Sequence, residues 1–126
     1  MFSLWICDNI RHMNIKIVNK KITETELREI AKDFYGEMVK GVVDVEREII
    51  AMGGEYHMDA NTVLIENGSE QKNVWGFNWY FDKTENERIE YVSLMNIRPS
   101  QGNKVMEVQD VSLRDKMKAI IIKYLL

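Results

Sequence analysis

Between residues 38 and 52 the apolar positions recur at helical spacing. At ~100° per residue, Met38, Val42, Val45, Ile49 and Met52 fall on one line, with Val39, Val43 and Ile50 beside it. Lys40, Asp44, Arg47, Glu48 and Ala51 fall on the opposite side. The pattern predicts an amphipathic helix over 38–52, ended by Gly53-Gly54 supplying the left-handed residue that follows many helices. Glu46 breaks it by placing a carboxylate inside the apolar arc. Such a group needs a partner or must be neutral, so Glu46 is the first candidate for a site.

The rest of the chain divides more plainly. Residues 14–18 (NIKIV) alternate as a short strand. Thr23 and Glu26 have capping-box spacing, flanked by Ile22 and Leu27 at the staple positions, and Leu27, Ile30, Ala31 and Phe34 continue at helical spacing to a stop near Gly36. After the paired glycines, 55–58 and 62–66 look like short strands around an Asp59-Ala60-Asn61 turn. Residues 74–81 (VWGFNWYF) are the clearest strand, with Trp75, Phe77, Trp79 and Phe81 on one face and Val74, Gly76, Asn78 and Tyr80 on the other. A further strand is expected over 88–98, closed by Pro99, and Asp110 or Ser112 caps a last helix striped with Leu113, Met117, Ile120, Ile121 and Tyr124. This order predicts an α+β domain: an antiparallel sheet of about four to five strands with helices packed on its aromatic face.

Composition narrows the setting. A chain of 126 residues, 45% hydrophobic and 29% charged, suits one domain with one core. Met13 stands just before the first strand, so residues 1–12 are expected to be an N-terminal extension and 13–126 the domain. A net charge of −3 and a pI near 5.4 argue against non-specific nucleic-acid binding, which needs a basic face. The single cysteine, Cys7, allows no intramolecular disulfide and points to a reducing, cytoplasmic setting. No apolar run approaches the ~18 residues of a membrane span, and no cofactor fingerprint is present: neither GxxxxGK[ST] nor GxGxxG occurs.

Several residues could carry chemistry. Arg98, at the end of an apolar strand, is the natural structural partner for Glu46 because guanidinium and carboxylate can meet through two parallel bonds. If instead Glu46 lies in a pocket, its proton affinity should be raised and it could act as acid or base. His57 and Asp59 would share a face if 55–58 were a strand, making them weak candidates for a metal site with Glu46 or Glu55. No HExxH or cysteine cluster supports that site, and the expectation is no metal and no cofactor. The loop after Asn96, with Arg98, Gln101 and Asn103, could present backbone N–H groups to an anion or could be a self-satisfied turn.

The segments MVKGVVDVEREIIAMGGEYHMD, NVWGFNWYFD and SLMNIRPSQGN together resemble a family of small prokaryotic proteins described only as a domain of unknown function. The resemblance runs from about residue 13 to the C-terminus. It implies a complete small protein rather than a piece of a known enzyme, and brings no catalytic or binding residues. Two functional readings follow. The first is a non-catalytic binding or interaction domain, with a protein, a small molecule or a second copy of the chain as partner; exposed apolar side chains near Val92 and Leu94, or at Phe2 to Ile6, would support it. The second is a small enzyme or metal-binding protein with a polar pocket made by Glu46, His57 and Arg98, joined by Asp44 or Asn103.

Overall fold

Residues 38–52 form a β-hairpin rather than a helix. The computed structural model describes residues 14–126; the expected extension over 1–12, with its Phe2 to Ile6, lies outside the described residues. Strand β2 (Met38–Asp44) runs antiparallel to β3 (Ile49–Met52). Residues 45–48 (VERE) are the turn between them, with Glu48 in a left-handed conformation at φ 54°. The helical periodicity misled for a physical reason. Residues 41–44 and 50–52 are buried in succession, because the sheet is covered on both faces. A strand buried twice over shows no alternation and can mimic a helical stripe. Its β-branched content favours the strand, and Gly41 in mid-segment weakens the helical alternative.

The sheet is completed by β1 (Lys16–Val18), β4 (Val74–Tyr80) and β5 (Ile89–Glu90), in the order β1-β3-β2-β4-β5 with every pairing antiparallel. With helices α1 (Glu24–Ala31), α2 (His57–Glu66) and α3 (Val111–Leu125), the domain is α+β. Cross-strand pairs set its two faces. Val39↔Trp79, Gly41↔Phe77 and Val43↔Trp75 alternate with Lys40↔Asn78, Val42↔Gly76 and Asp44↔Val74. Trp75, Phe77 and Trp79 share a core with Leu27 and Ile30 of α1 and Met117, Ile120 and Ile121 of α3. Helix α2 packs Ala60 and Leu64 against Val42, Ala51 and Val74. Helices therefore lie on both sides of the sheet, not on one.

Local signals explain the elements. Thr23 caps α1, its hydroxyl accepting from Glu26 N at 3.1 Å, and Asp110 caps α3 by accepting from Ser112 N and Leu113 N. Helix α1 stops at Ala31, short of Phe34 and Gly36. Segment 55–66 is not two strands. Asp59 Oδ2 accepts from Glu55 N at 3.0 Å and Tyr56 N at 2.9 Å, fixing a helix start, and His57, Ala60, Asn61 and Leu64 form its buried stripe. The strand expected over 88–98 ends after two residues in β5 and gives way to a 3-10 turn at Leu94–Asn96.

Candidate functional site

The face of the sheet under α2 has two ends, and the residues singled out from sequence are divided between them. At the Val74 end stand Asp44, Glu46 and Arg98. Asp44 is fully buried, and its Oδ1 accepts from Glu46 N at 2.9 Å and Arg47 N at 3.0 Å, shaping the hairpin turn. Glu46 is exposed in that turn, so it is not a core carboxylate. Arg98 donates to the carbonyls of Met95 (3.0 Å), Gln71 (2.9 Å) and Val74 and to Gln101 Oε1, with its guanidinium 4.2 Å from the centre of the Trp75 ring. Among the described residues neither Glu46 nor Arg98 takes part in an ion pair. The expected Glu46–Arg98 pair is replaced by an arginine that staples three backbone segments.

Asn103 is likewise spent on the backbone. Its Nδ2 donates to the carbonyls of Asn96, Val105 and Glu107, and its Oδ1 accepts from Gln109 N. Asn96 does a related task that the sequence did not reveal. Beyond the short β5, Gly76 has no strand partner on that side, and the Asn96 amide takes its place: Oδ1 accepts from Gly76 N at 2.8 Å and Nδ2 donates to Gly76 O at 2.9 Å. The 96–103 loop is thus a self-satisfied turn.

His57 lies at the other end. Its Nε2 stands 3.0 Å from Phe77 O and 2.8 Å from Asn78 Oδ1. Asn78 Nδ2 is committed to Glu90 Oε1 at 2.7 Å, so both partners of Nε2 are acceptors. Nε2 therefore carries the proton and Nδ1 the lone pair. Burial, reinforced by the Lys40 ammonium and opposed by the Phe77 carbonyl, Asn78 and Glu90, lowers the His57 pKa from 6.5 to about 4; the imidazole is neutral at pH 7. From Phe77 to Val74 is three residues of strand, ~10 Å, which separates the groups held by His57 and Arg98. The trio Glu46, His57 and Arg98 is not assembled into one cleft.

A different group is. His57, Lys40, Asn78 and Ser93 form the polar part of a cavity of ≈ 470 Å³ between the start of α2 and the 92–106 segment, a ligand-sized volume. Gly76 makes this convergence possible. A Cβ there would stand 2.6 Å from Ser93 Cβ, 2.8 Å from Ser93 Oγ and 3.3 Å from His57 Cδ2, so any larger residue would push Ser93 outward. Ser93 Oγ accepts from Met95 N at 3.3 Å. The His57 edge turned toward Gly76 carries carbon, which gives no serine–histidine nucleophile pair. The walls are apolar, with Met95 and Val92 within and Tyr56, Met58, Leu94 and Met106 at the rim. Leu94 is 74% exposed, Tyr56 62% and Met58 52%. Sequence reading missed Lys40, Gly76 and Ser93, and considered Asn78 only as a residue that could converge with Asn96, Gln101 and Asn103. The available signal was the small and polar pair Gly76 and Asn78 on the second face of an otherwise apolar strand.

Asp59 also borders the cavity, but as residue three of a helix whose first residue is His57 it does not share a face with it, and its Oδ2 holds the helix start. Among the described residues no group of three His, Cys, Asp or Glu side chains stands close enough to share a metal ion. Nor, among them, is any helix long and apolar enough to cross a membrane.

Fold and cavity define a small α+β domain with a ligand-sized pocket on one face of its sheet. A family described as "protein of unknown function (DUF5674)" matches residues 16–124, and the chain belongs to that family. No curated protein and no solved structure gives a significant match.

Proposed function

We propose that this protein is a non-catalytic binding domain whose ligand site is the cavity over Gly76. The observation that carries the reading is the combination of a ≈ 470 Å³ cavity with a rim of exposed Leu94, Met58, Tyr56 and Met106. Isolated exposed apolar residues are ordinary, but four around one cavity form a patch of the kind that marks binding sites. Methionines suit the task because their flexible thioethers adapt to different apolar shapes. The polar groups on the floor orient a ligand rather than react with it: Ser93 caps a turn, and the protonated nitrogen of His57 is held by the sheet. A cytoplasmic setting belongs to the same reading and is supported by the single cysteine.

A neutral solvatochromic dye such as Nile red tests the site without invoking charge. The expected result is saturable binding at one site per chain with a blue shift, abolished in Leu94→Glu. Absence of saturable binding, or equal binding by Leu94→Glu, would refute the proposed site.

A further inference from the structure

Among the described residues lining the cavity, Lys40 supplies the cation. It sits in the middle of β2, opposite Asn78 of β4, half-buried, and its ammonium lies 5.3 Å from the centre of the Tyr35 ring. No carboxylate among the described residues lies within ion-pair distance of it. The two nearby acids are engaged elsewhere: Asp59 Oδ2 accepts from Glu55 N and Tyr56 N, and Glu90 Oε1 accepts from Asn78 Nδ2 and Tyr80 Oη. Burial lowers the Lys40 pKa and the Glu90 carboxylate partly opposes that shift, as for an ammonium only partly compensated by a counter-charge.

Resting on the binding reading above, we propose that the cavity takes a small amphiphilic monocarboxylate, its carboxylate at Lys40 and its apolar body against Met95, Met58, Leu94 and Met106. Lys40 offers one cation, which a single carboxylate can meet. The neutral His57 adds no second cation at pH 7, and the carboxylates of Asp59 and Glu90 repel any anion, a dianion such as a phosphate monoester about twice as strongly as a monocarboxylate. The apolar walls select the body, because a fully polar acid would leave the methionines and Leu94 in water and gain nothing from them.

Calorimetric titration of the whole chain with octanoate, octan-1-ol and octylammonium at pH 7 separates the possibilities. Octanoate is expected to bind at one site, roughly tenfold or more tighter than octan-1-ol, the difference a charge-assisted contact supplies, with octylammonium weakest. Lys40→Met should abolish the preference for octanoate over octan-1-ol; a preference that survives in this variant would overturn the assignment to Lys40. Equal binding of octanoate and octan-1-ol overturns the carboxylate assignment and leaves the apolar pocket standing. Preference for octylammonium also overturns it and reassigns the charge recognition to Asp59 or Glu90. Failure of all three to bind overturns the carboxylate assignment, and the Nile red result then decides whether the pocket reading falls with it. The comparison among ligands needs no variant, so it holds even where Lys40→Met does not fold.

Discussion

The two ends of the α2 face are built from similar residue types and put to opposite uses. At the Val74 end, Arg98 spends its guanidinium on three carbonyls and an amide, and Asp44 Oδ1 holds two backbone N–H groups while its Oδ2 is buried without a partner among the described residues and outside the lining of the cavity. At the Asn78 end, Lys40 has no ion-pair partner among the described residues, and a cavity opens beside it. A charged or polar side chain stabilises a fold when the backbone uses its hydrogen bonds. It can serve a ligand when some of that capacity stays unspent. A cation free of ion pairs among the described residues, beside an open cavity, locates the site better than residue type does, since from the sequence Arg98 and Asp44 are candidates and Lys40 is not.

The largest effect expected from this contrast is a pH dependence confined to the cavity end. Folded His57 binds its second proton only near pH 4, whereas an unfolded histidine binds it near 6.5. Between these values the unfolded chain holds more protons, so stability falls as pH drops from about 6.5 to about 4 and is insensitive to this group above that window. The full loss is about 3 kcal/mol. Urea denaturation at a series of pH values should show the slope in the wild type and lose that share of it in His57→Asn; equal slopes would mean that the imidazole is not held neutral.

A smaller effect is expected at the stapled end. Arg98→Met leaves the carbonyls of Gln71, Val74 and Met95 without their donor, and because the site is half-buried, water replaces part of the loss. Destabilisation of about 2 kcal/mol is expected, with ligand binding unchanged. Loss of binding with intact stability would reverse the roles assigned to the two ends. The smallest effect is at the rim: Leu94→Ser should change stability by less than about 0.5 kcal/mol, as surface substitutions do, yet weaken dye binding. A large stability loss would show that Leu94 is covered by protein.

Much of the architecture was legible. The cap at Thr23, the strand at Val74–Tyr80 and the final helix capped by Asp110 carry signals that depend on near neighbours in the chain. The hairpin over 38–52 was not legible as such, because its apolar pattern reflects a sheet buried on both faces, which only tertiary structure decides. The site failed for the same reason. Glu46 looked buried because it was placed on a helix; on a hairpin it is the turn. His57 was found, but on the first turn of a helix rather than on a strand, and its partners Asn78 and Phe77 come from β4, far along the chain. The helical reading places Lys40 on the side opposite the apolar line and so gives no reason to look for a site there. One mistaken element therefore hid the cation of the pocket and promoted an exposed glutamate in its place.

Amide NMR of the whole chain titrated with octanoate tests the contrast directly. The account predicts shifts concentrated at residues 56–58, 92–95 and 106, around the cavity, with residues 71–74 and 98 unmoved. Shifts centred on Arg98 and Val74, or spread evenly over the domain, would contradict it.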